Sequence, residues 1–351
     1  MCGIIGFWDK TGQRGASTGR VVLTMLEALG CRGPDSAGVA LIGPEPAADR
    51  EWAWSIRIAR FDEETLERLE GLGAVVRPEA GGVWARSGGS LRFTFRPAPQ
   101  VTVDDLERAL GARRGGLEVL SLGRRLDLVK QVGSPAQLEA TYSVSSWGGP
   151  LAIGHTRMST ESRIDLSHSQ PFWVHGVPDL ATVHNGHVTN YHQLRRRAEQ
   201  QGTTFYTDND SEVIGVYLRD RLQQGRSLPE AMADSLDDLD GSFNYLVASA
   251  DGLGIVRDRH GFKPLVLAET DDFVAVATEE IALRRALPGD YRAVEPPPAS
   301  ATFYSMSSCP SQAAGCLDPA ARKATRPVPV PVSAGTDHPA AAAAGGPAGR
   351  T

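Results

Sequence analysis

The chain has 351 residues, 41% of them hydrophobic and 22% charged, with a formal net charge of −6. That is enough apolar material for a sizeable core, and the acidic balance without any Lys/Arg tract excludes binding that depends on neutralising nucleic-acid phosphates. No basic stretch followed by an apolar run opens the chain, and no run of about 18 apolar residues occurs anywhere, so a cytoplasmic protein that is neither secreted nor membrane-spanning is expected.

The first residues are Met1-Cys2-Gly3-Ile4-Ile5-Gly6. Removal of the initiator methionine would leave a thiol and a free α-amine on one residue. With a pKa of about 7.7–8 the amine can take the thiol proton through a water, so the nucleophile carries its own base. Taken alone, Cys2 could equally begin a buried strand, which is how Cys2 to Asp9 reads. An amphipathic helix follows over Thr18 to Leu29, with Val21, Val22, Met25, Leu26 and Leu29 at helical spacing. A glycine-bounded loop, Cys31-Arg32-Gly33-Pro34-Asp35-Ser36-Ala37-Gly38, leads into a second strand, Val39 to Ile42.

From residue 43 to 149 the pattern is irregular, mixing strand-like runs (Trp52 to Ile58, Leu91 to Phe95) with a helical one (Val103 to Leu110), and is expected to be an insertion between core strands. Leu151 to His155 and Leu180 to His184 are short apolar runs ending in polar residues, as strands delivering side chains to a shared edge would be. Helices are predicted over Tyr191 to Gln200 and Ser211 to Gln223, and a third begins at Ser227-Leu228-Pro229-Glu230, with serine as cap and proline just inside. The period then changes to two over Ser242 to Ala248, Gly254 to Arg257, Pro264 to Ala268 and Phe273 to Ala277, suggesting an antiparallel meander. Strands at both ends with helices grouped between them predict stacked sheets covered by helices, an α+β arrangement. Residues 306–351, rich in Ala, Pro, Gly and Ser, cannot offset their ordering entropy and are expected to form a disordered tail after a domain spanning 1–305. Cys309 and Cys316 fall in this tail and, with Cys2 and Cys31, make neither a disulfide framework nor a zinc-site spacing.

Hydrolysis of an amide through a thioester needs a nucleophile, an oxyanion pocket, and groups that hold the substrate's non-reacting end. His184-Asn185-Gly186-His187 offers an asparagine amide and a glycine N–H at a strand end, suited to a developing oxyanion, although an Asn-Gly turn has the same composition. Gly154-His155-Thr156-Arg157 places an arginine just past a strand, where it can grip a carboxylate bidentately or simply be solvated. Thr207-Asp208-Asn209-Asp210-Ser211-Glu212 groups carboxylates at a helix start, for capping or for binding an ammonium. His155, His184 and His187 have no acidic or thiolate partner at ligand spacing, so no metal is expected.

Together these segments resemble the class II glutamine amidotransferase domain of the N-terminal-nucleophile hydrolases. The carriers are Met1-Cys2-Gly3-Ile4-Ile5-Gly6, Arg32-Gly33-Pro34-Asp35-Ser36-Ala37-Gly38, His155-Thr156-Arg157, His184-Asn185-Gly186, Asp210-Ser211-Glu212 and Asp240-Gly241-Ser242-Phe243, covering residues 1–42 and 150–300 in the family's order. The resemblance implies a four-layer αββα sandwich of two mainly antiparallel sheets, with Cys2 as nucleophile and Asn185 and Gly186 as oxyanion donors. It further implies that Arg157 holds the α-carboxylate of L-glutamine and Asp210 its α-ammonium, with Arg32 and Thr160 also among the substrate-binding residues. Met158 stands where many relatives have an aromatic residue, and Glu161 where some have histidine.

Beyond residue 300 there is no phosphoribosyl-pyrophosphate loop, ATP-pyrophosphatase signature or sugar-isomerase domain, and Arg257-Asp258-Arg259-His260-Gly261-Phe262-Lys263-Pro264-Leu265 is similar to a late segment of free-standing amidotransferase subunits of the glutamate-synthase and N-methylglutamate-synthase type. The resemblance therefore implies a hetero-oligomer in which ammonia passes to a separate, flavin-containing synthase subunit, this chain holding no cofactor itself. A stand-alone amidase acting on another amide, and a catalytically silent regulatory homologue, are the alternatives.

Overall fold

A computed structural model describes residues 2–45, 54–59, 76–77, 84–87, 90–97, 102–109, 118–159 and 164–306. In chain order the elements that build the core and site are β1 (Gly3–Asp9), α1 (Thr18–Ala28), β2 (Ser36–Ile42), β3 (Trp54–Ala59), β4 (Val76–Arg77), β5 (Trp84–Ser87), β6 (Ser90–Pro97), α2 (Val103–Ala109), β7 (Glu118–Gly123), β8 (Leu126–Val132), α3 (Pro135–Tyr142) and β9 (Leu151–Arg157). They continue with β10 (Phe172–Trp173), β11 (Leu180–Val188), α4 (Tyr191–Gln200), α5 (Asp210–Gln223), α6 (Leu228–Asp238), β12 (Gly241–Ser249), β13 (Gly252–Arg257), β14 (Val266–Glu269), β15 (Phe273–Ala277), α7 (Glu280–Ala286), β16 (Ala293–Val294) and β17 (Ser300–Ser305).

Because β1, β2 and β9 are buried along their whole length, their side chains are divided between two apolar environments by the pleat alone. Ile5 and Phe7 of β1 meet the helical layer formed by Val22, Met25 and Leu26 of α1, Leu138 of α3 and Leu283 of α7. Ile4 and Trp8, on the opposite face, meet Leu246 and Ala248 of β12 and Leu253 and Ile255 of β13. The first sheet has the order β16-β14-β15-β1-β9-β2-β8 and the second β10-β11-β12-β13-β17. The second is covered in turn by Ile214 and Leu218 of α5 and by Ala231 and Met232 of α6. The result is the four-layer αββα sandwich that the resemblance implies, and every strand pairing among the described residues is antiparallel. Burying each large core side chain contributes about 1.5–3 kcal/mol, so the helical layers are held chiefly by these apolar faces. The cap predicted for α6 is present: the Glu230 carboxylate accepts both the Ser227 backbone N–H and its hydroxyl at 2.8 Å.

The segment expected as an insertion divides in two. β3 to β7 form a third sheet in which β6 pairs with β3, β4 and β5, and β7 completes it on β3. Its Ile56, Ile58, Val119 and Leu122, with Leu106 of α2, extend the apolar space between the two main sheets. The chain rejoins the first sheet at Leu126, earlier than the expected return at Gly149: β8 pairs with β2 along its length and α3 lies in the outer helical layer. The junction is polar. Arg57 grips Asp127 through Nε at 2.7 Å and Nη2 at 2.9 Å. Burial alone would raise the Asp127 carboxyl, but Arg57 and Arg92 beside it hold its pKa down at about 2.

The sequence reading also missed the β17 edge, which pairs with β13 from Ser300 to Ser305. Of residues 306–351, expected as a tail, Met306 is buried and its amide donates to the Asp251 carbonyl at 2.8 Å, and residues 307–351 lie outside the described residues. No described helix is long and apolar enough to cross a membrane.

Candidate active site

Along the inner face of each main sheet the side chains change from apolar to polar at the same end. In the first sheet Ile4 gives way to Cys2, Ile153 to His155 and Arg157, and Ala40, past Gly38, to Ser36. In the second, Val183 gives way to Asn185, Leu246 to Asn244 and Ile255 to Arg257. Registers align these changes. Gly3 pairs with Thr156, which sets Cys2 beside Arg157, and Arg157 pairs on its other side with Ser36. Asn185 pairs with Asn244, which pairs with Arg257. The two sheets therefore close one end of the sandwich with facing polar rows.

The Arg32-Gly33-Pro34-Asp35 loop wraps the end of β9. A Cβ on Gly33 would stand 2.4 Å from the Thr156 carbonyl carbon and 2.6 Å from the Arg157 nitrogen, so only glycine permits the approach. The Asp35 amide donates to the Arg157 carbonyl at 3.0 Å and its carboxylate accepts from the Ser159 amide at 2.7 Å. Arg32 Nε donates to the Cys2 carbonyl at 3.4 Å while its guanidinium pairs with Glu279. From the other side, Thr278 Oγ1 accepts from the Ile4 amide at 2.9 Å and the Thr278 amide donates to the Ile4 carbonyl at 3.0 Å. Arg32 thus contacts the Cys2 backbone. Thr278 and Glu279 are positioning residues that sequence reading missed, since Thr-Glu-Glu before a short helix reads as an ordinary cap.

Cys2 is half-buried, with its Sγ 3.8 Å from the Met158 carbonyl. Arg157 is only 4% exposed. Burial lowers its pKa, and the opposing influence of Cys2, Asp165 and Asp35 does not restore it. Asn185 is buried, and its carboxamide makes no hydrogen bond to any described residue. Gly186 has φ +141°, and a Cβ there would lie 2.2 Å from the Ser242 carbonyl oxygen. Asp210, at the first turn of α5, accepts the Val188 amide at 3.0 Å, which fastens the helix start to the strand end carrying Asn185 and Gly186.

The histidines face three ways. His184 points outward, with Nδ1 2.8 Å from the Ser211 hydroxyl, and its backbone is clamped by Gln170, whose Oε1 accepts from the His184 amide at 2.6 Å and whose Nε2 donates to its carbonyl at 3.1 Å. His187 is exposed and His155 fully buried. Among the described residues no group of three His, Cys, Asp or Glu side chains is placed to hold a metal ion. Thr160 and Glu161 lie outside the described residues; Met158 is exposed.

Burial, then His184 and Arg157, push the His155 pKa from 6.5 to about 3. Below pH 6.5 an unfolded chain takes up a proton that the folded one refuses until about pH 3, so this histidine contributes stability that is complete above 6.5 and lost as the pH falls toward 3. Burial lowers the His184 pKa in the same direction. Replacing His155 by leucine is expected to make the fall in Tm between about pH 7 and 5 shallower. An unchanged slope would assign that fall to other groups.

A profile of the glutamine amidotransferase domain matches residues 155–285. A provisionally named glutamine amidotransferase of Methanothermobacter thermautotrophicus is 35% identical over 313 residues, which cover 84% of this chain and 100% of that protein. The glutamine amidotransferase-like protein GlxB of Rhizobium meliloti is 35% identical over 87% of this chain and 98% of its own length. Among solved structures, the glutamine phosphoribosylpyrophosphate amidotransferase of B. subtilis superposes with a TM-score of 0.55 at 19% identity, over 88% of this chain and 50% of that one, a likeness of fold.

Proposed function

Since this chain belongs to the glutamine amidotransferase family, we propose that it hydrolyses L-glutamine through a thioester on Cys2 and passes the ammonia to a separate synthase subunit. The supporting observation is the pairing of rows: Cys2 and Arg157 on one sheet face the Asn185 and Gly186 strand end on the other, with Asp210 bonded beside it. Once Met1 is removed, the Cys2 α-amine takes the thiol proton through a water and Sγ attacks the carboxamide carbon. The carbonyl oxygen gains charge against the Asn185 amide and the Gly186 N–H. The C–N bond breaks as the amine returns the proton to the leaving nitrogen, and ammonia departs. Water then attacks the thioester, giving glutamate and restoring the thiol. Arg157 holds the α-carboxylate and Asp210 the α-ammonium. Arg32 keeps the Cys2 carbonyl in place, and Thr160 completes the substrate contacts. Thiol, amine and oxyanion donors supply each charge and proton that the reaction needs.

The substrate assignment is tested at Arg157. Arg157→Lys is expected to raise KM for glutamine tenfold or more, because a lysine cannot reproduce the bidentate fork. Glutamine analogues without the α-carboxylate should lose their disadvantage in this variant. Wild-type turnover of such analogues as fast as glutamine would favour an amidase for another amide.

The acceptor is proposed as a flavin-containing subunit of the glutamate-synthase type, supported by the Arg257 to Leu265 resemblance and by relatives that this chain spans almost end to end. Free hydrolysis would waste glutamine, so basal turnover is expected to be low and to rise at least tenfold, about 1.4 kcal/mol of barrier, with synthase partner and acceptor present. Closure of the segment from Arg157 to Ser167 over the substrate is the proposed switch. High turnover that no synthase subunit alters would count against the partnership.

A further inference from the structure

Two carboxamides lie side by side on the inner face of the second sheet, Asn185 of β11 in register with Asn244 of β12. Asn244 is fully buried. Its nitrogen and oxygen are distinguished by chemistry, because Nδ2 lies 3.1 Å from the Lys263 carbonyl oxygen and 3.2 Å from that of Pro264, and a carbonyl can only accept. The amide plane is therefore set. Its Oδ1 is a buried acceptor with no partner, a state that costs free energy unless something uses it.

Two cross-strand neighbours are within reach, at the Cβ separation of about 4.5–5.5 Å usual for directly opposed residues. One is Arg257, whose Nε is also buried without a partner. Its fork is already committed, with one Nη on the Pro296 carbonyl and the other on the Gly261 carbonyl at 2.7 Å and on Glu295 at 3.1 Å. The other is Asn185, whose carboxamide no hydrogen bond to a described residue holds. An oxyanion donor that is free to turn over presents its oxygen as readily as its nitrogen, and an oxygen there repels the developing charge. A set acceptor on the adjacent strand removes that choice.

We propose that Asn244 is the positioning residue for Asn185: when the Asn185 carboxamide turns to a substrate oxygen, one of its N–H groups comes to the Asn244 Oδ1, which has no other partner among the described residues, and the other N–H is thereby directed at that oxygen. The proposal rests on the reading of Asn185 as an oxyanion donor, and a double-mutant cycle separates the two. Steady-state glutaminase kinetics and thermal midpoints are measured for Asn244→Ala, Asn185→Ala and the pair, with Asn244→Ser as a second variant should the alanine fail to fold. Asn244→Ala is expected to lower kcat about tenfold with KM within about twofold, and to cost nothing further once Asn185 is alanine. Multiplicative losses would overturn the proposal while leaving Asn185 in its role. So would coupling of Asn244 to Arg257→Lys in place of Asn185, which would make Oδ1 part of the arginine's support. An undiminished kcat in Asn185→Ala alone would remove the oxyanion reading and this proposal together.

Discussion

Cys2→Ala is expected to abolish glutamine hydrolysis while leaving the Tm within a few degrees of wild type. Both halves of that outcome follow from where the residue sits. Its thiol is half-buried and its one hydrogen-bond contact among the described residues is a long one, 3.8 Å to the Met158 carbonyl, so the side chain contributes little to the fold. The strand start is held by other groups: Arg32 on the Cys2 carbonyl and Thr278 on both backbone groups of Ile4. Without sulfur no thioester forms at this residue. The same geometry predicts a near-complete loss when a tag is fused ahead of Met1 and left in place, because the α-amine is then an amide and cannot take the thiol proton. Intact mass of the active protein should correspond to a chain beginning at Cys2. Full turnover by the uncleaved fusion would sink the mechanism in which the nucleophile supplies its own base.

Asn185→Ala should lower kcat by roughly 10²–10³ with little change in KM, the effect of removing a donor whose bond strengthens only as charge develops on the carbonyl oxygen. The residue is well suited to a clean measurement. Its carboxamide supports no other described group by a hydrogen bond, so its loss should not spread into the fold. The strand around it is secured by the Gln170 clamp on His184 and by Asp210 on the Val188 amide. An effect on KM alone would show that Asn185 binds the ground state and would reassign the oxyanion to other donors.

The residues of the candidate site were legible as a sequence because each belongs to a short local pattern. Cys2 needs only its place behind the initiator methionine. Arg157 ends β9 and Asn185-Gly186 lie in the polar continuation of β11, each strand announced by its apolar run, and the Arg32 to Asp35 loop shows its glycine and proline. Periodicity likewise located α1, α4, α5, α6 and the strands β12 to β15, since a buried face imposes its period on each of them, but the single meander expected of those strands does not form: β12 and β13 pair in the second sheet, and β14 and β15 in the first. Four layers could be expected, but only through resemblance.

What required the tertiary structure is whatever depends on contacts between distant parts of the chain. β8 and α3 lie in a stretch that reads as insertion, and nothing local distinguishes a strand that closes the edge of the main sheet from one in a third sheet; pairing with β2 decides it. Thr278 and Glu279 matter only because β15 lies against β1 and brings them to the Cys2 strand. Asn244 reads as one polar residue in an alternating strand. Its importance comes from register, which sets it opposite Asn185, and from the Lys263 to Pro264 turn, which orients its amide. By itself the sequence determined which groups are candidates to carry the chemistry, because reactivity and local turn geometry are properties of neighbouring residues. The tertiary structure alone decided which groups hold them, because support comes through hydrogen bonds between residues far apart in the chain.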